Sequence, residues 1–146
     1  MTEKQSCEMP EMNPLEIEIK EILANSKTIA VVGLSDKPER DSYKVAKYLK
    51  DHGYTIIPVN PAKTEILGER SYSDLSSIPF QVDIVDIFRN IEAIPGIVDE
   101  AIKIKAKVVW MQLGLTHNES ARKAREAGLV VVQSKCLKIE HARMWT

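Results

Sequence analysis

Short apolar runs alternate with amphipathic stretches along most of this chain. Five of the runs are rich in valine and isoleucine, and most of them are apolar at both odd and even positions. A strand that is covered on both faces has this composition, because neither face meets water. The runs at 28–32, 54–59, 82–88, 108–113 and 129–132 therefore predict the central strands of a parallel sheet.

Amphipathic segments lie between these runs and predict helices. In each segment apolar residues recur at spacings of three and four, which places them on one face of a helix. Thr116 and Glu119 have the spacing of a capping box, so Thr116 is the predicted N-cap of the third of these helices. The predicted helices are 42–52, 95–105, 118–127 and a last helix over 136–143.

The N-terminal part of the chain precedes this alternation. Residues 1–13 are polar and interrupted by methionine and proline, which predicts a loose arm. Pro14 opens an amphipathic stretch whose apolar stripe runs from Leu15 to Leu23, and proline is tolerated in the first turn of a helix. Residues 14–146 are predicted to form one domain, as usual for a chain of 146 residues.

The order of these segments predicts the fold. Strand and helix alternate about four times, which is typical of an α/β protein with a doubly wound, mostly parallel sheet. The segment EILGERSY at 65–72 is too short for a full helix and predicts a turn at Gly68. Trp110 and Met111 lie inside the fourth apolar run and are expected in the core rather than at a cofactor.

Composition narrows the class of protein. Twenty Lys and Arg balance 21 Asp and Glu for a net charge of −1, which argues against nonspecific nucleic-acid binding as the main role. No apolar run could span a membrane, and the first residues lack the apolar core of a signal peptide. Cys7 and Cys136 make no disulfide framework, and the histidines lack metal-ligand spacing. We therefore expect a cytoplasmic protein with no metal, membrane or nucleic-acid partner.

Polar and charged residues follow the first predicted strand. Ligands of open α/β sheets bind beyond the carboxyl ends of the strands. Gly33 allows the tight turn that a phosphate site needs, although no GxGxxG motif follows it. Ser35 and Ser42 offer hydroxyls, and Lys37 and Arg40 offer positive charge beside the N-terminus of the next helix. This loop is the predicted phosphate site.

The end of the second strand discriminates between nucleotide ligands. NAD sites usually place an acidic residue there, whereas this strand ends in Val59-Asn60-Pro61. Asn60 could contact a ribose or a base, and Lys63 would suit a ribose phosphate. Coenzyme A (CoA) carries a 3′-phosphate and fits this charge pattern better than NAD, while NADP stays open.

Two further strand ends carry candidate contacts. Phe88 could pack on adenine, and Arg89 could pair with a phosphate. Gln112 and Gly114 follow the fourth strand and could line the same cleft. Asp86 could accept hydrogen bonds from a loop or helix amide at the site, and a structural role is the favoured interpretation.

Several segments resemble the small stand-alone CoA-binding domain proteins, which are similar to the N-terminal domain of the succinyl-CoA synthetase α subunit. The resemblance implies a Rossmann-like domain with CoA contacts in the loop from Gly33 to Lys37, at Val59-Asn60-Pro61 and around Phe88-Arg89. The loop lacks the ligase's second glycine, and the ligase domain that bears a phosphorylated histidine has no counterpart, so the ligase reaction is not expected. The matching segments, between about Pro14 and Arg143, are VVGLSDKPERDSYKVAKYL, GYTIIPVNP, EILGERSY, VDIVDIFR, AKVVWMQLG and AGLVVVQSKCLKIEH.

The sequence thus predicts a protein that binds CoA or an acyl-CoA in a binding, carrier or regulatory role, since no set of acid, base and nucleophile emerges. Cys136, beside Lys135, could meet the thiol of CoA and form a mixed disulfide, or be a small buried residue. One alternative is an enzyme that acts on the thiol or acyl end of CoA with Cys136 or a partner subunit. The other is an NAD(P)-binding redox sensor. Under each of these interpretations the protein could form a homo-oligomer or bind a partner enzyme. The predicted contacts are Gly33, Leu34, Ser35, Lys37, Arg40, Ser42, Val59, Asn60, Pro61, Phe88, Arg89, Gln112 and Gly114, with Cys136 as a thiol contact.

Overall fold

The structure is a computed structural model that describes residues 8–145. Seven strands and five α-helices lie within that range. The strands are β1 (Thr28–Val32), β2 (Thr55–Val59), β3 (Glu65–Ile66), β4 (Glu69–Arg70), β5 (Ile84–Ile87), β6 (Val108–Met111) and β7 (Val130–Val132). The helices are α1 (Glu16–Asn25), α2 (Asp41–Asp51), α3 (Ile94–Lys103), α4 (Asn118–Glu126) and α5 (Leu137–Met144).

Five strands form one parallel sheet in the order β2-β1-β5-β6-β7. This is the predicted Rossmann-like α/β fold. The chain passes from β1 outward to β2 and then crosses to β5 on the other side of β1, so the strand order reverses between β1 and β5. Such a reversal leaves a crevice at the carboxyl ends of the two strands.

Helices cover both faces of the sheet. On one face, Ile94 and Val98 of α3 and Ala121 of α4 pack against the side chains of Ala30, Val85 and neighbouring strand residues. On the other face, α1, α2 and α5 contribute a second core with Ile29, Ile84 and Trp110. The strand positions are buried on both faces, as their apolar composition predicts. No helix within residues 8–145 is long and apolar enough to cross a membrane.

The strands and helices lie where the pattern placed them, and most of their ends are shifted by one to three residues. Trp110 and Met111 are fully buried in the core, as expected. The segment after β2 forms the small hairpin β3–β4, with Leu67 and Gly68 at its turn in the left-handed region. The predicted strand over 82–88 is ordered as a strand only from Ile84 to Ile87.

Helices α2 and α3 begin one residue earlier than predicted, at Asp41 and Ile94, and the N-terminal ends of the other three helices differ from the prediction in their first turn or their cap. Thr116 is buried and does not cap α4; His117 is the N-cap, and its side chain accepts the amide of Ser120. Helix α1 begins at Glu16, so Pro14 precedes its first turn, and Leu15 is 68% exposed rather than on the buried stripe. Cys136 is the N-cap of α5 and not its first helical residue.

The N-terminal arm is described from residue 8 onward. Asn118, at the start of α4, donates from Nδ2 to the carbonyl of Met9 (2.7 Å) and accepts the amide of Glu11 (2.9 Å). Asn13 exchanges two hydrogen bonds with the backbone of Gln133, at the end of β7. Residues 8–13 are therefore held against α4 and β7, and the rest of the predicted arm lies outside the described residues.

Candidate functional site

A cleft of about 950 Å³ opens at the carboxyl ends of β5 and β6, beside the point where the strand order reverses. Its walls are the first turns of α2 and α5 and the loops that follow β5 and β6. The lining residues are Arg40, Asp41, Lys44, Val45, Phe88, Arg89, Asn90, Gln112, Leu113, Leu115, Cys136, Lys138 and Ile139. This is where an open α/β sheet binds its ligand.

Gly33 brings the loop after β1 against the loop after β5. Its amide donates to the carbonyl of Val59 (2.9 Å), and the amide of Phe88 donates to the carbonyl of Val32 (2.9 Å). Gly33 has a φ of +90°, and a Cβ at this position would collide with the carbonyl oxygen of Phe88 and lie 2.8 Å from Cδ of Arg89. Only glycine fits here without strain, and the contact fixes the start of the segment that lines the cleft.

The cleft carries an excess of positive charge. Arg40, Lys44, Arg89 and Lys138 line it together with one carboxylate, Asp41. Within residues 8–145, none of the four basic side chains takes part in an ion pair. The N-terminal turns of α2 and α5 add the partial positive charge of helix ends. The cleft is therefore suited to anionic groups such as phosphates.

The two predicted serines hold the first loop together. The amide of Ser35 donates to Oγ of Ser42 (3.0 Å), and the amide of Lys37 donates to Oγ of Ser35 (3.1 Å). Ser42 is buried, and Leu34 between the glycine and Ser35 is fully buried. Both hydroxyl oxygens accept a main-chain amide, which leaves their O–H groups as the part that a ligand could use.

Asn60 ties the end of β2 to the same loop. Its Nδ2 donates to the carbonyl of Leu34 (3.0 Å), and its Oδ1 accepts the amide of Ala62 (2.9 Å). Beside it, Lys63 and Asp36 form an ion pair at 3.0 Å, and the hydrogen bond from Lys63 lowers the pKa of Asp36. The side chains of Asn60 and Lys63 thus already have partners in the protein.

The cleft contains five of the fourteen predicted contact residues: Arg40, Phe88, Arg89, Gln112 and Cys136. The other nine lie outside its lining: Gly33, Leu34, Ser35, Lys37, Ser42, Val59, Asn60, Pro61 and Gly114. Sequence reasoning missed Asp41, Lys44, Val45, Asn90, Leu113, Leu115, Lys138 and Ile139, which line it. Lys44 stands one helical turn after Arg40 and could have been found from that spacing.

Two hydrogen bonds, one to β6 and one to the residue that follows it, position the start of α5 at the cleft. Nε1 of Trp110 donates to the carbonyl of Lys135 (2.8 Å), and the amide of Leu137 donates to Oε1 of Gln112 (3.2 Å). Cys136 lies between these two anchored residues and is half-buried. Its side chain makes no capping hydrogen bond to the helix. The thiol is therefore held at the wall of the cleft by the residues on either side.

Asp86 lies in the core and does not make the hydrogen bond that it could have made at the site. It is fully buried in the centre of the sheet, next to Val31 of β1 and Trp110 of β6 in register. Neither carboxylate oxygen has a hydrogen-bond partner among residues 8–145, so the expected bond to a loop or helix amide is not formed. Burial raises the pKa of Asp86 well above its ordinary value, because the charged form cannot be solvated there.

The histidines lie away from the cleft. His117 caps α4, and the ring of His141 meets the hydroxyl of Tyr48 at 2.9 Å near the opposite end of α2, where it also contacts His52. Burial, and then the nearby ring of His52, lower the pKa of His141. Within the described part of the chain, no three His, Cys, Asp or Glu side chains come together as a metal site.

The family model described as "CoA binding domain" matches residues 27–142. The chain belongs to this CoA-binding domain family. The match spans the whole parallel sheet and ends within α5, so it includes every wall of the cleft.

Similar proteins fall into two groups. The protein YneT of Bacillus subtilis, itself uncharacterized, is 47% identical over 130 residues, 89% of this chain and 96% of its own length. A solved structure, a hypothetical protein from Pyrococcus horikoshii, has a TM-score of 0.90 at 42% identity, and covers 95% of this chain and 98% of that one. The α subunit of the ADP-forming acetate–CoA ligase II of Pyrococcus furiosus is 38% identical over 64 residues, 43% of this chain and 14% of the subunit. The domain thus occurs both as a small protein and as part of much larger ligase subunits.

Proposed function

We propose that this protein binds coenzyme A, free or acylated, in the cleft between α2 and α5. The observation that carries the proposal is the set of four basic side chains without ion-pair partners, placed at a strand-order reversal in a member of the CoA-binding domain family. CoA carries a diphosphate and a 3′-phosphate, so most of its charge would be met by Arg40, Lys44 and Arg89. Phe88 offers an apolar surface beside them.

The two ends of the ligand are assigned by the chemistry of the walls. The adenosine phosphate end would lie toward the first loop and the turn after β2, where the predicted contacts Ser35, Lys37 and Pro61 stand. The pantetheine arm would then run past Gln112 toward Cys136. In this arrangement Cys136 is the thiol contact, and the protein acts as a binding, carrier or regulatory protein.

Thermal unfolding with CoA, acetyl-CoA, NAD and NADP tests the proposal. A ligand at about 100 times its dissociation constant stabilises the folded state by about 2.7 kcal/mol, which raises the midpoint by roughly 5–10 °C for a chain of this size. We expect that shift with CoA or acetyl-CoA. A shift with the nicotinamide dinucleotides alone would overturn the proposal in favour of a redox sensor.

Two lysines of α2 provide a matched pair of variants. Lys44 lines the cleft, whereas Lys47, three residues later, is exposed and pairs with Asp51 at 2.9 Å. Lys44→Ala should weaken CoA binding several-fold and reduce its dependence on salt, while Lys47→Ala should change neither. The measurement is the dissociation constant by calorimetry at two salt concentrations. Equal effects of the two variants would mean that the phosphates bind elsewhere.

A further inference from the structure

We propose that the cleft is built for an acyl thioester of CoA that carries a hydrocarbon chain, and that Gln112 recognises the thioester carbonyl. The inference rests on the proposed function and adds the class of CoA derivative. It depends on two features of the wall beside Cys136: an oriented amide group and a pair of exposed apolar side chains.

The amide group of Gln112 has a fixed orientation. An amide N–H of the backbone can only donate, so the contact of 3.2 Å from Leu137 must be accepted by Oε1 of Gln112. Nε2 of Gln112 is then turned away from the amide of Leu137, and within residues 8–145 no acceptor is found for it. Gln112 is 5% exposed and borders the cleft, and its Nε2 is not among the fully buried atoms that lack a partner, so this donor keeps accessible surface and a ligand oxygen in the cleft can accept from it.

Free CoA and its thioesters differ at the position where this donor stands. The half-buried thiol of Cys136 belongs to the residue directly before Leu137, so the sulfur end of the ligand and Nε2 of Gln112 meet at one wall. A thiol offers only a weak acceptor there, whereas a thioester offers a carbonyl oxygen. One neutral hydrogen bond of this kind corresponds to about a fivefold gain in affinity.

Two apolar side chains flank that wall. Leu113 follows Gln112 directly and is 67% exposed, and Ile139 stands two residues after Leu137 and is 53% exposed. Both line the cleft, with the buried Leu115 as a third apolar neighbour. The phosphate-binding charges on the α2 side and the apolar side chains near Cys136 match a ligand that is anionic at one end and apolar at the other. A short hydrocarbon chain continuing beyond the sulfur would cover Leu113 and Ile139.

The size of the expected effect follows from the area that a chain would bury. Each fully buried methylene strengthens binding about fourfold. Hexanoyl-CoA has four more carbons than acetyl-CoA, so burial of half of the added surface predicts a gain on the order of tenfold. CoA itself, without carbonyl or chain, should bind more weakly than either thioester.

Calorimetry with four ligands separates the two features. CoA, acetyl-CoA and hexanoyl-CoA report the carbonyl and the chain, and S-hexyl-CoA, a thioether, has the chain without the carbonyl. Gln112→Glu keeps the acceptor for Leu137 and removes the donor, so it should reduce the preference for hexanoyl-CoA over S-hexyl-CoA. Leu113→Ser should reduce the ratio of hexanoyl-CoA to acetyl-CoA affinity. Ile17→Ser is the matched control, because Ile17 is 61% exposed on α1 outside the cleft, and it should leave both ratios unchanged.

The outcomes distinguish this inference from the proposed function. If the protein binds all four ligands with equal affinity, the inference is overturned and the proposed function stays in place. Failure of every CoA ligand to bind would overturn both. If Leu113→Ser leaves the ratio of hexanoyl-CoA to acetyl-CoA affinity unchanged, Leu113 does not contact the hydrocarbon chain. If Gln112→Glu leaves the preference for hexanoyl-CoA over S-hexyl-CoA unchanged, Gln112 does not bind the thioester carbonyl.

Discussion

Replacing Gly33 with alanine tests the closest contact between the loops after β1 and β5. The backbone there has a φ of +90°, which costs an alanine about 1–2 kcal/mol. The new methyl group would also overlap the carbonyl oxygen of Phe88 and lie 2.8 Å from Cδ of Arg89, and overpacking of this kind costs about 1–3 kcal/mol. We therefore expect Gly33→Ala to lower the free energy of unfolding by about 2–5 kcal/mol.

Gly128→Ala is the control that separates the cost of the positive φ from the cost of the steric overlap. Gly128 follows α4 with a φ of +96°, and no atom lies within 4 Å of a Cβ built there. Gly128→Ala should lower the free energy of unfolding only by the cost of the positive φ. The difference in unfolding free energy between the two variants therefore measures the overlap at Phe88. That difference should be at least about 1 kcal/mol.

Urea unfolding followed by tryptophan fluorescence measures both variants, since Trp110 is fully buried in the native state. Calorimetry with CoA then follows the second consequence: Gly33→Ala should weaken binding, because the methyl group displaces Phe88 and Arg89, and Gly128→Ala should not. Equal losses of stability in the two variants would refute the reasoning, because they would show that the loop after β5 moves aside freely.

Two further predictions concern the sheet. Asp86→Asn should abolish a pH dependence of stability. Folded Asp86 keeps a proton that the unfolded chain loses above the ordinary pKa of 3.8. The free energy of unfolding should therefore fall as pH rises from 3.8 toward the raised pKa of folded Asp86, by up to about 1.4 kcal/mol per pH unit. Urea unfolding of both proteins from pH 5 to 8 checks it, and parallel curves would contradict the assignment. Trp110→Phe removes the donor to the carbonyl of Lys135 and should cost about 1–3 kcal/mol in unfolding free energy. It should also weaken CoA binding through Cys136, and unchanged affinity would show that α5 is positioned without this bond.

The strands could be predicted because burial on both faces requires apolar residues at both odd and even positions, and such runs are visible in the sequence. Strand β1 has the predicted bounds, 28–32, since every residue in it after Thr28 is buried. The helix caps could not be predicted in the same way, because they depend on partners far along the chain. The amide of Asn118 is met by the carboxylate of Glu8, 110 residues away, and Thr116 is buried where the local sequence suggested a cap.

The candidate site was predicted in part for a related reason. Strand ends can be located from the sequence, so Phe88, Arg89 and Gln112 were placed at the correct edge of the sheet. The opposite wall depends on how α5 packs against β6, which is decided by the bonds from Trp110 and Gln112. Nothing in the local pattern of α5 indicates that Lys138 and Ile139 face the same cleft as Arg40.

The arrangement of hydrogen bonds divides the predicted site into two parts that should respond differently to substitution. Asn60 joins the turn after β2 to the loop after β1, and Ser42 joins the same loop to α2, in both cases by a bond from the side chain to a main-chain group. Substitutions at those two residues should act first on stability and reach the ligand only indirectly. Arg89 and Gln112 border the cleft itself, although Oε1 of Gln112 also accepts the amide of Leu137. Gly33 is where the two parts meet, since its amide bonds to β2 while its missing Cβ makes room for the loop after β5. A substitution there should therefore alter stability and affinity together, which is why its comparison with Gly128 tests the site as well as the fold.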